Sequence, residues 1–84
     1  MSVTVLYFAW LRQKIGVGED TVEVADGTTV GALIETLKSR SPAHAEALAN
    51  PDIVRIAVNQ DYVQADAVVK DGDEVALFPP VTGG

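Results

Sequence analysis

The sequence predicts an α+β roll, a mixed sheet of four or five strands covering one main helix. Three observations carry that expectation. Apolar residues alternate in short stretches near both ends of the chain, which is the period of a half-buried strand. One stretch in the middle, 30–39, repeats instead at the helical period. The chain has only 84 residues, enough for a single domain with one modest core. The expected organisation is one domain over 1–84, with 79–84 as an extended C-terminal tail.

The first strand is Val3–Trp10, rich in β-branched and aromatic residues. Val3, Val5 and Tyr7 fall on one face, and Thr4, Leu6 and Phe8 on the other. Leu11 and Ile15 stand four apart, so Ala9–Ile15 makes a short helical turn that Gly16 stops. Gly16-Val17-Gly18-Glu19-Asp20 forms a turn without the spacing, or the Lys-Ser/Thr pair, of a phosphate loop. Asp20–Val24 is a second strand, antiparallel to the first, with Val22 and Val24 inward. Asp26-Gly27 is a turn, and Thr29 caps a helix from Val30 to about Ser39. Val30, Leu33, Ile34 and Leu37 give it one apolar stripe, leaving Glu35, Lys38 and Arg40 to face water.

Ser41 and Pro42 start a second short helix that ends near Asn50-Pro51. His44, the one histidine, lies in it and is expected at the surface. Ile53–Val58 is a strand, Asn59-Gln60-Asp61 its turn, Tyr62-Val63 a short strand and Val68-Val69 another. Lys70-Asp71-Gly72-Asp73 turns tightly into the last strand, Glu74–Phe78. Asp71, Asp73 and Glu74 lack the further ligands and loop length of a calcium site, which favours turn chemistry. Because a helix links the opening hairpin to the later strands, the first and last strands can lie side by side and parallel at the sheet's centre. The expected core is Val5, Val22, Val24, Leu33, Ile34, Leu37, Ile56, Val58, Val75 and Leu77.

Composition excludes several chemistries. There is no cysteine, so disulfides, thiolate nucleophiles and cysteine-ligated zinc are absent. One histidine cannot build a multi-histidine metal site, and no metal site is expected. No Ser/His/acid set stands at suggestive positions. A formal net charge of −6 disfavours nucleic acid and anionic membranes as partners. No apolar run approaches a membrane span, and no signal peptide is read at the N-terminus, so a cytoplasmic location is expected. Residues 1–42 hold four bases and five acids, whereas residues 43–84 hold two bases and seven acids. The C-terminal half therefore carries an acidic surface, a solvated face or a complement to a basic partner.

The unusual feature is the ending, Phe78-Pro79-Pro80-Val81-Thr82-Gly83-Gly84. The prolines cannot donate to a ladder, so they stop the sheet and extend the exit. Six residues at about 3.3 Å each reach roughly 20 Å from the domain. Glycines carry no side chain, so this arm fits a narrow tunnel in another protein and presents an unhindered terminal carboxylate.

The string Asp71-Gly72-Asp73-Glu74-Val75-Ala76-Leu77-Phe78-Pro79-Pro80-Val81-Thr82-Gly83-Gly84 resembles the C-terminal signature of the molybdopterin synthase small-subunit family. Ala57-Val58-Asn59 and the opening Val5-Leu6-Tyr7-Phe8-Ala9, followed by Leu11-Arg12, match the same pattern. The resemblance implies a β-grasp, ubiquitin-like fold and a sulfur carrier that is not an enzyme by itself. It implies that a partner enzyme uses ATP to adenylate the Gly84 carboxylate and that a sulfur donor protein converts it to a thiocarboxylate. No cofactor is held permanently. The tail, Pro79 to Gly84, would then enter the large subunit of molybdopterin synthase, in an assembly of two small and two large subunits. There it gives sulfur to cyclic pyranopterin monophosphate.

Two rival readings share the tail chemistry: a sulfur carrier of thiazole synthesis, and a ubiquitin-like modifier joined through Gly84 to target lysines. A plain binding module is a third. Under the carrier reading, Phe8 and Phe78 lie on the strand face opposite Val5 and Leu77, close together, with Tyr62 joining them as a partner-binding patch.

Overall fold

The computed structural model describes residues 1–80. The elements are β1 (Ser2–Tyr7), α1 (Ala9–Ile15), β2 (Glu19–Glu23), α2 (Val30–Lys38), α3 (Pro42–Ala47), a 3-10 turn (Pro51–Ile53), β3 (Arg55–Val58), β4 (Asp61–Tyr62) and β5 (Glu74–Phe78). The five strands form one mixed sheet in the order β2-β1-β5-β3-β4. β1 and β5 are parallel at its centre, with Val5 beside Val75 and Tyr7 beside Leu77. The other pairs are antiparallel. This is the expected α+β roll, with the β-grasp arrangement of a hairpin, a helix and a returning central strand.

β1 buries alternate residues, so Val3, Val5 and Tyr7 join Val22, Val75 and Leu77 beneath the sheet. α2 covers them with Val30, Leu33 and Leu37, all fully buried. Burying such a side chain contributes about 1.5–3 kcal/mol. The expected stripe is therefore correct, with Ile34, Val24, Ile56 and Val58 partly buried at its margin. The core is larger than expected. Leu11 of α1, Ala47 and Leu48 of the α3 region, and Val54 and Val69 of the connecting loops complete it.

The ends of the helices follow their local chemistry. Thr29 Oγ1 accepts the Ala32 N–H, and the first N–H groups of α2 donate to Ala67 and Ala65 carbonyls at 2.8 Å. Ser41 caps α3 through the His44 N–H, with Pro42 in the first turn. Gly16 closes α1 at φ 97°, which only glycine adopts without strain.

Three expectations are corrected. β1 ends at Tyr7 rather than Trp10, because Ala9 takes φ 55° and turns the chain into α1. Val68-Val69 forms a single bridge from Val68 to Thr29 rather than a strand. Arg40 does not simply face water: its guanidinium donates to the Thr21 carbonyl at 2.9 Å and lies 3.4 Å from Asp20. That bond occupies the middle of the open β2 edge, where an unpaired strand would otherwise invite another chain.

The acidic turn before β5 does structural work. Asp73 accepts the Lys70 N–H and the Asn59 side-chain amide, and Asp71 accepts the Ser2 N–H. These bonds anchor the start of β5 to β1 and to the β3–β4 turn. Among the described residues, no helix is long and apolar enough to cross a membrane.

Candidate functional site

The sheet's uncovered face carries the expected ring cluster. Phe8 leaves β1 and still donates its N–H to the Leu77 carbonyl at 3.1 Å, which holds it level with the end of β5. Phe78 is the last residue of β5 and lies opposite Arg55 of β3. Tyr62 lies in β4, opposite Ala57. The Tyr62 and Phe78 rings stand 5.8 Å apart, in the range of a tilted aromatic pair. Between these rings Ala57 pairs with Ala76, and two such small side chains give a shallow floor. The result is an open depression of about 470 Å³ lined by Phe8, Tyr62, Phe78, the two alanines and Pro79.

Local backbone geometry keeps these rings out of the core. The positive φ of Ala9 ends β1 abruptly and leaves Phe8 47% exposed. Asn59 and Gln60 both take positive φ, the signature of a two-residue hairpin turn, and Tyr62 follows at 80% exposure. Three rings on one open face form an apolar patch of the kind that marks an interface. Pro79, where the tail begins, borders the same depression. Phe8, Tyr62, Phe78 and Pro79 are thus brought together, and Pro80 follows directly. Val81, Thr82, Gly83 and Gly84, the other expected tail residues, lie outside the described residues.

A second cluster lies on the buried side of the sheet, and the sequence reading missed it. His44, expected at the surface, is only 9% exposed. Its Nε2 is 2.8 Å from Asp20 Oδ2, and its Nδ1 is 2.7 Å from Ser41 Oγ. Tyr7 donates its hydroxyl to the same Asp20 oxygen at 2.8 Å, with its ring edge-on to the imidazole. Arg40 flanks the other Asp20 oxygen. Burial alone would push the Asp20 carboxyl up. Hydrogen bonds from His44 and Tyr7, and the charges of His44 and Arg40, outweigh burial and hold it below the usual carboxylate range. Burial, then the hydrogen bond to Asp20, pushes the Tyr7 hydroxyl up, so it stays a donor.

The serine, histidine and acid that looked unrelated in sequence therefore meet. Ser41 Oγ already serves as the cap of α3, accepting the His44 N–H at 3.1 Å. Its hydroxyl can donate to a neutral Nδ1 or accept from a protonated one, so the cluster stays bonded in either state. It fastens α3 and the β2 strand to β1. One signal was available: His44 stands three and four residues before the buried Ala47 and Leu48, the spacing of one helix face.

The described chain is similar to known proteins along its whole length. The model of the ThiS family matches residues 5–84. The molybdopterin synthase sulfur carrier subunit of Escherichia coli is 46% identical over 83 residues, covering 98% of this chain and 99% of that one. A chain of the complex of subunits 1 and 2 of molybdopterin-converting factor from Helicobacter pylori matches with a TM-score of 0.71 at 26% identity, covering 100% of both chains. Small archaeal modifier protein 1 of Haloferax volcanii superposes with a TM-score of 0.80 at 28% identity, covering 95% of this chain and 98% of that one. The ring cluster, the β-grasp sheet and the terminal Gly-Gly thus stand in a sequence that matches from end to end: the chain belongs to the ThiS family, among the molybdopterin synthase sulfur carrier subunits.

Proposed function

We propose that this chain carries sulfur on its own C-terminus for molybdenum cofactor synthesis in the cytoplasm, with the ring patch as its docking face. One observation supports the reading above the others: the parallel pairing of β1 with β5 sets the root of the tail beside the exposed Phe8 and Tyr62 and the half-buried Phe78. A partner that grips Phe8, Tyr62 and Phe78 therefore holds the tail at a fixed origin. Two partners use this handle in turn, an adenylating enzyme and the large subunit of molybdopterin synthase, in a complex of two small and two large subunits.

The chemistry belongs to Gly84. Its carboxylate oxygen attacks the α-phosphorus of ATP held by the activating enzyme and displaces pyrophosphate. A sulfide equivalent from a donor protein then attacks the acyl carbon, and AMP leaves with the original carboxylate oxygen. The product is a thiocarboxylate on the main chain, which requires no cysteine. The sulfur atom is next the nucleophile toward cyclic pyranopterin monophosphate, and water cleaves the acyl–sulfur bond to restore the carboxylate. The carrier supplies the sulfur and the position of the tail; its partners supply the catalytic groups.

The test is intact mass after incubation with the activating enzyme, ATP and a sulfur source. One oxygen-to-sulfur exchange is expected for the native terminus. Deleting Gly84 draws the carboxylate back by roughly 3.3 Å, and misplacement on this scale costs about a hundredfold in rate. Gly84→Ala is also expected to lose exchange or sulfur delivery. Normal exchange by a carrier extended beyond Gly84, with the extension untrimmed, would overturn the mechanism.

The likeness to a small archaeal modifier protein favours a second reading, in which the activated Gly84 is joined to lysine side chains. The same adenylation serves both. Isopeptide-linked adducts in cells would support the modifier; free carrier and thiocarboxylate alone would exclude it.

A further inference from the structure

A second concavity, of about 800 Å³, opens on the other side of the Tyr62–Phe78 pair. It lies between α2 and β3, over the partly buried apolar side chains Ile34, Ile56 and Val63. β4 pairs only with Ala57 and Val58; just past it the Val63 N–H still donates to the Ile56 carbonyl at 3.2 Å, and Arg55 and Ile56 line the groove beyond. Tyr62 and Phe78 line both the groove and the ring depression, which makes the two surfaces continuous.

Its charge runs against that of the molecule. The chain has a net charge of −6, and residues 43–84 hold only two basic side chains, Arg55 and Lys70. Arg55 is on this groove, with Lys38 and Glu35. Lys38 and Glu35 pair with each other at 3.2 Å. Arg55 donates to the Asp52 carbonyl at 3.1 Å and, among the described residues, is in no ion pair. It also stands opposite Phe78, the residue from which the tail departs. An exposed guanidinium that pairs with no carboxylate among the described residues, beside an apolar floor, selects an acidic group next to an apolar one.

We propose that this groove is a second seat for the large subunit, and that it receives a segment with an apolar side chain flanked by a carboxylate. The carboxylate meets Arg55 while the apolar side chain covers Ile34 and Ile56. Most of the carrier's surface charge would attract a basic partner. An acidic contact at Arg55 adds a point of opposite sign, which fixes the orientation of the domain about its tail. Charge arranged in this way contributes register and specificity more than raw affinity. The inference rests on the docking reading above, and the test separates the two.

The experiment is titration of the large subunit against the intact carrier by calorimetry, using Arg55→Glu, Arg55→Lys, Lys70→Glu and Phe78→Ala. Lys70→Glu makes the same charge change outside the groove. Arg55→Glu is expected to weaken binding about tenfold or more, Lys70→Glu about twofold or less, and Arg55→Lys to recover part of the loss. Melting temperatures check that each variant folds. Equal losses for Arg55→Glu and Lys70→Glu would assign the effect to the overall field and overturn the proposal. An unchanged affinity for Arg55→Glu beside a clear loss for Phe78→Ala would overturn the groove and leave the ring patch standing. No loss for either would remove the docking reading and the groove with it. In a parallel NMR titration, AMP alone shifting the Gly31, Ile34 and Val63 amides to saturation would make the groove a nucleotide site and overturn a peptide occupant.

Discussion

Tyr7 and Phe8 are adjacent aromatic residues that end in opposite environments. Tyr7 is 1% exposed, beneath the sheet, with its hydroxyl on Asp20. Phe8 is 47% exposed, one residue along the chain, on the uncovered face. Strand alternation sends them apart, but burial follows what each side offers. Below the sheet, α3 brings His44, so the tyrosine hydroxyl and the carboxylate find partners and can be enclosed. Above it, among the described residues, no helix lies over the rings, and they stay open to a partner. The same pair of residues thus divides the labour: the buried cluster holds the domain together, and the exposed cluster holds it to something else.

That division can be broken at either end. The largest effect is expected from Asp20→Ala, which leaves the Tyr7 hydroxyl and His44 without their shared acceptor. Removing one member of a buried hydrogen-bonded charge set costs about 2–4 kcal/mol. Chemical denaturation should show that loss, while affinity for the large subunit, measured below the melting temperature, stays near that of the native chain. Phe78→Ala should do the reverse. A central ring at an interface is worth about 2 kcal/mol, a loss near thirtyfold in affinity, with a smaller change in melting temperature. If both variants lose stability and binding together, the two clusters are coupled and the comparison fails.

Acid sharpens the same comparison. The Asp20 carboxyl is lowered in the folded chain, so the unfolded chain, near 3.9, takes up the proton first. The cluster's contribution is therefore fully present above that value and is lost as pH falls through the folded value. The native chain should lose stability in this window more steeply than Asp20→Asn, as melting temperatures against pH would show. The smallest effect concerns the turn that presents Tyr62. Gln60 holds φ 73° without being glycine, so Gln60→Gly should stabilise the domain by about 0.5–1 kcal/mol. Circular dichroism melts would detect the shift.

Much of this molecule is legible along the chain. The α2 stripe, the caps at Thr29 and Ser41 and the stops at Gly16 and after Phe78 are local, set by residues within about four positions of one another. For the three rings the chain gives only the face: alternation sets Phe8 and Phe78 opposite Val5 and Leu77, while the parallel pairing of β1 with β5, and β3 between β5 and β4, bring Phe8, Phe78 and Tyr62 together. Tertiary structure alone decided the fate of His44 and Arg40. Each looks solvent-bound within its own segment, and each is claimed by Asp20, which is 24 residues from His44 and on a different element. A short polar side chain is buried only where distant groups complete its hydrogen bonds, and one element's periodicity carries no record of what another will bring to it.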